Sequence, residues 1–496
     1  LMDAASVAAC NAHSGTALLV APVLLVEFHG SPAATAAEAR RFAEIAIVIY
    51  LVVALGALTI SDLRSALVMQ FLAGMASAPL SSLAFMYMLQ PLSPKWKMRL
   101  GLPVVMATVA LGPSVARVIS PALMADSGWT ALHTMTLGMA AVSLGLVYWL
   151  PLTSPPRQKV IAGLDLVSWL LIAIGFGGLT AVFTMGAIYW WTEIPWLGWT
   201  LAASIAALTL AAMIELNRKA PLLDVRWLAS PAILHLTVTL LVFRLILSEQ
   251  SSGAPRMFQV LGVTQDQLVT IFAVISAGTV LGALALIPFM TPKRVPLFHV
   301  IALALVAVGA WLDSHSTIDT RPAQMMLSQG MIAFAGTLFL APAMMQGLMS
   351  ALARGPNYIL SFIIVFLSTQ SLGGVMGSGL FLTFINHRQA LHLQLMREEL
   401  TTADPVVMQA IGQRVAALTS QIVDPVARQA QAVAMIAQDA TNQAYVMAYN
   451  DAYQLTALVA AFAFCVLVLH MFRDWLAARL SPAAPAPFIG RWSSPM

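Results

Sequence analysis

Leu111–Pro121 reads LGPSVARVISP. It lies inside a long apolar run, 102–124, whose single charge is Arg117. Gly112 and Pro113 stand about one turn before the arginine and Pro121 about one turn after it. A run this long and this apolar predicts a helix that crosses a bilayer. A guanidinium in hydrocarbon is costly, so it faces a partner, a water-filled cavity or a functional path rather than lipid. Each proline removes a helical hydrogen bond, which a membrane helix tolerates where neighbouring helices or water satisfy the freed carbonyl. Two readings stay open: a kinked span whose arginine pairs structurally with a carbonyl or headgroup, and a gating element beside a cavity.

The rest of the chain follows the same pattern. Its 496 residues are 59% hydrophobic and 9% charged, with mean hydropathy +0.84. Soluble domains carry about 25% charged residues, so a soluble enzyme is excluded and the fold class is an all-α polytopic membrane protein. A formal charge of +4 and a pI near 9.2 fit basic cytoplasmic loops better than nucleic-acid binding. Cys10 and Cys465 sit far apart in apolar runs and point to neither a disulfide framework nor a metal site. No strong nucleotide-binding loop and no cluster of metal ligands stands out, so no cofactor is expected.

Apolar runs predict spans near 6–27, 42–61, 66–90, 102–124, 129–150, 164–187, 195–214, 231–259, 267–290, 296–312, 323–351, 357–385 and 453–472. Alternate loops hold Arg40 and Arg41; Lys95, Lys97 and Arg99; Arg157 and Lys159; Arg218, Lys219 and Arg226; Lys293 and Arg294; and Arg354. The tail, with Arg473, Arg479 and Arg491, falls on the same side, and the opposite short loops carry little beyond Arg64 and Arg321. That asymmetry places the basic loops and the C-terminus in the cytoplasm. Residues 1–150 hold five spans, 164–216 two, and 228–385 together with 451–472 six, with a cytoplasmic tail at 473–496. Paired halves are how many secondary transporters are built. The odd span count therefore leads us to expect a further first helix ahead of Leu1.

Between the last two spans, 386–450 is polar and reads as an extracytoplasmic helical insert. It divides into 388–400, 405–422 and 425–450, where Asp404-Pro405 and Asp424-Pro425 suit an N-cap followed by the first helical position. Val407, Ile411, Val415, Leu418 and Ile422 recur at helical spacing, as do Val426, Ala430, Val433, Ala437, Ala440 and Ala444. These faces read either as a self-packed cap or as a docking surface for a periplasmic partner.

Taken together, these features resemble the major facilitator superfamily, and more narrowly its fourteen-helix drug:proton antiporters of the EmrB type. Gly112, Pro113 and Pro121 hold the places of that family's fifth-helix antiporter motif, with Arg117 and Val118 replacing some of its usual small residues. Gln70–Gly74 stands at the fourth-helix motif with Gln70 in the arginine's place, and Glu38–Arg41 is a reduced form of the loop motif between the second and third helices. His387-Arg388, Gln443-Ala444 and Tyr449-Asn450-Asp451 resemble the family's helical extracellular loop entering its last span. The resemblance implies export driven by proton influx. It also implies a periplasmic membrane-fusion adaptor and an outer-membrane channel as partners.

Proton coupling requires a carboxylate whose proton affinity burial can move. Glu249 lies five residues after Arg244, too far for helix-face pairing unless the helix unwinds, and Ser251, Ser252, Gly253 and Pro255 make a break there credible. The competing reading leaves Glu249 solvated at the outer interface. Asp165 reads as a helix-dipole partner, and Glu215 with Arg218 as a solvated end-of-helix pair. Gln329, Gln346 and Gln370 fall within spans and must find hydrogen bonds or water, so they are candidate path-lining residues. Met325, Met326, Met331, Met344, Met345 and Met349 crowd one region, fitting either varied apolar ligands or ordinary packing. Gly373, Gly374, Gly377 and Gly379 permit close helix approach, while Trp190, Trp191, Trp196 and Trp199 mark a membrane interface. His133 and His235 are lone histidines and weak signals.

The leading expectation is therefore a bacterial inner-membrane exporter of amphipathic or hydrophobic small molecules, using Arg117, Arg244, Glu249, Gln329, Gln346 and Gln370 along its substrate and proton path. A non-transporting scaffold that recruits the adaptor is the rival. No nucleophile–base pair supports a membrane enzyme.

Overall fold

The computed structural model describes residues 35–89, 92–149, 163–218, 221, 223–355, 357–399 and 404–480. Among these the chain is helical, and ten helices are long and apolar enough to cross a membrane. The span expected at 6–27 lies outside the described residues.

The helices, in chain order, are α1 (Thr35–Ala57), α2 (Leu63–Leu89), α3 (Leu102–Ser127), α4 (Trp129–Trp149), α5 (Gly163–Tyr189) and α6 (Pro195–Leu216). They continue with α7 (Pro231–Val260), α8 (Gln265–Leu286), α9 (Val295–Asp313), α10 (Met326–Arg354), α11 (Asn357–Glu399), α12 (Pro405–Ala417) and α13 (Pro425–Leu480). A single turn of π-helix, Lys97–Gly101, leads into α3. Large apolar side chains face outward on many helices, among them Val52, Phe71, Val142, Ile205, Leu281 and Phe462. On a soluble protein such a surface would aggregate, whereas in a bilayer it is the solvated one.

The main core is built by α7, α9, α10, α11 and α13 around Leu240, Phe243, Ala302, Val306, Ile332, Phe339, Phe362, Phe366 and Ala460, with Leu102, Val105 and Met106 of α3 joining it. Small residues let backbones meet, as expected for packing in lipid. A Cβ on Gly278 would lie 2.5 Å from the Gly330 carbonyl oxygen, and one on Gly282 would lie 2.6 Å from that of Phe334, so α8 and α10 touch along their backbones. Met325, Met344 and Met345 are buried among these packed side chains, where they fill space.

Two expectations about helix ends change. The helix expected at 357–385 continues unbroken to Glu399, and the last expected span, 453–472, is the inner part of a helix that begins at Pro425. At ~1.5 Å per residue the 56 residues of α13 extend well beyond a bilayer core of about 30 Å. Hydropathy marks where oil ends, but a helix stops only where caps or breakers stop it. Asp404 and Asp424 do cap the starts of α12 and α13, accepting from the backbone N–H of Val406 at 2.8 Å and of Val426 at 3.0 Å. Arg414 of α12 pairs with Asp439 of α13.

At the other end of the helix pair α5–α6, Glu215 and Arg218 are not a solvated pair. Glu215 is 3% exposed, and Arg218 bridges it at 3.0 Å and Asp165 at 2.5 Å. The hydrogen bond it donates to Asp165, then the one it donates to Glu215, holds the Arg218 guanidinium above its usual pKa. Asp165 is thus the partner of an ion triad rather than only of its own helix dipole. Trp191 also departs from an interface role: it packs on Gly186 and Phe183 and donates to Thr383 Oγ1 at 2.9 Å, fastening α5 to α11.

Candidate functional site

Three polar centres lie within the helical body, and they separate the residues marked in the sequence. The first is on α3. Both prolines are accommodated inside a continuous helix from Leu102 to Ser127. The motif's inward face is Ser114, Arg117 and Val118. Ser276 of α8 donates to Ser114 Oγ at 3.0 Å, Arg117 sits 4.9 Å over the Phe272 ring, and Val118 packs on the cluster containing that ring. Gly112 has open space where a Cβ would point and Pro113 is exposed, while Pro121 is half-buried.

The second centre is Arg244, in the middle of α7. Its Nε donates to the carbonyl of Gln370 on α11 at 3.1 Å. Gly373 and Gly374 bring the α11 backbone flush against it, since a Cβ on Gly374 would lie 2.9 Å from Nη2. The side-chain nitrogen of Gln370 is buried without an acceptor among the described residues.

The third centre forms where α7 breaks. The helix runs Pro231–Ile246, Ser248–Ser252 and Ala254–Val260, interrupted at Leu247 and Gly253. Gly253 is required there: a Cβ would lie 2.4 Å from the Glu249 carbonyl oxygen and 2.7 Å from the Tyr453 ring. The break turns Glu249, 0% exposed, away from Arg244 and toward α10 and α9. Gln329 Nε2 donates to Glu249 Oε1 and to Asp313 Oδ2, each at 2.8 Å. Ser328 donates to Asp313 Oδ1, and the two carboxyls meet on the one Gln329 amide. Glu249 Oε2 and Gln329 Oε1 have no partner among the described residues. Gln250 ties the break to α10 by donating to the Gln329 carbonyl at 2.9 Å, and Ser252 ties it to α11 through Ser378 at 2.8 Å.

The helix does break after Arg244, yet the break does not join Arg244 to Glu249: they form two separate centres, each facing a different helix. The solvated reading of Glu249 fails because the side chain is enclosed. Gln329 joins Glu249 and Gln370 joins Arg244, but Gln346 belongs to neither. It lies about 25 Å further along α10 than Gln329, at a rise of ~1.5 Å per residue. Asp313 and Ser328 were not singled out from sequence. The available signal was an acid placed immediately after the apolar run 296–312, facing a polar pair in the next span.

Chemically, the third centre presents two carboxyls, one shared amide and two acceptor oxygens unpartnered among the described residues, all enclosed by the fold. No groups of three or more His, Cys, Asp or Glu that could hold a metal ion occur among the described residues.

No family model matches the chain, and no curated protein matches it. Solved structures do. A POT family transporter, PepTSo, is similar with a TM-score of 0.50 and 15% identity, over 94% of this chain and 91% of that one. The major facilitator superfamily proton:xylose symporter XylE, bound to 6-bromo-6-deoxy-D-glucose, is similar with a TM-score of 0.47 and 13% identity, over 91% and 83%. A bacterial homologue of the human lysosomal transporter Spinster, inward-facing and occupied, gives a TM-score of 0.38 and 15% identity, over 98% of each chain.

The fold is the one shared with that POT family transporter, the major facilitator fold. With ten helices long and apolar enough to cross a bilayer among its described residues, the chain is a multi-pass membrane protein. At such low identity the likeness concerns the arrangement of helices alone. What individual residues do must come from their geometry.

Proposed function

We propose that this chain is a proton-coupled exporter of amphipathic or hydrophobic small molecules in a bacterial inner membrane, working by alternating access between two bundles. Residues 1–150 would supply one bundle, 228–385 with 451–472 the other, and 164–216 the two helices between them. The observation that carries this reading is the centre formed by Glu249, Gln329 and Asp313. Ionisable groups inside a membrane are costly and mark ion and proton pathways. Two enclosed carboxyls that share one amide, with no ion-pair partner among the described residues, are best accommodated with a proton held between them. Placing them at a helix break couples that proton to backbone rearrangement, because unwound segments at the middle of membrane helices are where transporters bind and release ions.

The fourteen-helix drug:proton antiporter resemblance supports the direction of transport, and the basic loops support a cytoplasmic C-terminus. The extension built by α11, α12 and the start of α13 supports docking of a periplasmic membrane-fusion adaptor that leads to an outer-membrane channel. The test is flux in proteoliposomes containing the full chain. An imposed pH gradient should drive accumulation of an amphipathic dye such as ethidium, and collapsing the gradient should stop it. Absence of gradient-driven movement for any amphiphile in a panel of cationic, neutral and anionic compounds would leave the adaptor-recruiting scaffold as the better reading.

A further inference from the structure

Arg244 sits in the middle of a membrane-spanning helix with most of its hydrogen-bonding capacity unused. Among the described residues only Nε has an acceptor, the Gln370 carbonyl at 3.1 Å. Nη1 and Nη2 have none, and no carboxylate pairs with the guanidinium. Glu249, the nearest acid in sequence, is turned to Gln329 and Asp313 instead. The Gln370 amide nitrogen, belonging to the residue that already touches Arg244, is a buried donor without an acceptor among the described residues.

The surroundings explain how such an arrangement is built. Gly373 and Gly374 leave the guanidinium lying against bare backbone, with Leu241 beside it, so the floor of the site offers shape and apolar surface but no counter-charge. A guanidinium in a low-dielectric setting is stabilised when its forked N–H groups meet a planar group that only accepts. None of the described residues supplies such a group.

The geometry points to Arg244, with the amide of Gln370, as the binding site for the carboxylate of an amphipathic organic acid, whose apolar part lies along α7 and α11. This rests on the transport reading above and specifies the substrate class. The carboxylate accepts from Nη1 and Nη2 together, and the Gln370 amide supplies a further donor. Substrate charge is then read here, while the proton is handled at the separate centre beyond the helix break.

The test is binding by the purified full-length chain in a detergent without anionic lipid, measured calorimetrically with 4-phenylbutyrate and with its neutral isostere 4-phenylbutyramide. The acid should bind at least about tenfold more tightly than the amide to the wild-type protein. In Arg244→Gln the preference should fall to about twofold or less. Gly374→Ala should do the same, because it keeps the guanidinium but adds a carbon 2.9 Å from Nη2. Equal binding of acid and amide to the wild type, no binding of the acid, or a preference that survives in a monodisperse Arg244→Gln protein each overturns the assignment. The wild-type comparison decides even if a variant fails to fold. Gradient-driven movement of a neutral amphiphile alongside equal binding would retire this site and keep the transport reading. A clear acid preference without any gradient-driven flux would do the reverse.

Discussion

Replacing Gln329 with leucine removes the amide that joins the two carboxyls while keeping a similar side-chain length. Gln329 Nε2 makes two hydrogen bonds of 2.8 Å to carboxylate oxygens, and both Gln329 and Glu249 are 0% exposed, away from bulk solvent. A hydrogen bond to a charged group contributes about 1.5–3 kcal/mol, and an unpaired buried polar atom costs about 1–3 kcal/mol. Losing both bonds is partly offset by removing the unpartnered Oε1 of Gln329. The net destabilisation should be about 2–3 kcal/mol. The assay is reversible denaturation in detergent micelles, run as a double-mutant cycle with Glu249→Gln. A real Glu249–Gln329 bond gives a coupling of about 1–2 kcal/mol. Gln329→Leu unfolding like the wild type, with zero coupling, would refute the placement of these side chains.

Other consequences follow from the same contacts. Arg218→Ala leaves Asp165 and Glu215, with side chains 7% and 1% exposed, without their cation, and should cost about 3 kcal/mol in the same assay. Gly377→Ala would place a carbon 1.9 Å from Ser248 Oγ, next to the helix break, and should destabilise by about 1–3 kcal/mol. Gly112→Ala meets nothing within 4 Å and should be neutral or stabilising by up to about 1 kcal/mol. Arg117→Ala loses a cation–π contact worth about 0.5–2 kcal/mol and should abolish dye export while leaving the protein monodisperse. Wild-type export by that variant at normal protein level would remove Arg117 from the path.

How much of this could be read beforehand depends on the distance over which a signal acts. Apolar run length is local, and helices occupy the expected positions from α1 to α13. The break in α7 was legible because Ser251, Ser252, Gly253 and Pro255 are neighbours in sequence. The direction in which it turns Glu249 was not legible, since Asp313 and Gln329 lie on other helices and only packing brings the three together. Asp313 ends its span, a position that usually faces water, and only the fold encloses it. Likewise Arg218 follows the end of α6, and nothing local foretold that it would reach back to Asp165. The lengths of α11 and α13 were hidden because helix continuity past the bilayer leaves no mark in hydropathy.

The most direct measurement compares coupled with uncoupled transport when Glu249 and Asp313 are neutralised together. In proteoliposomes, Glu249→Gln/Asp313→Asn should lose gradient-driven accumulation but retain exchange of labelled for unlabelled substrate across the membrane. Accumulation that persists at the wild-type level in this double variant would contradict the claim that the enclosed carboxyls carry the proton.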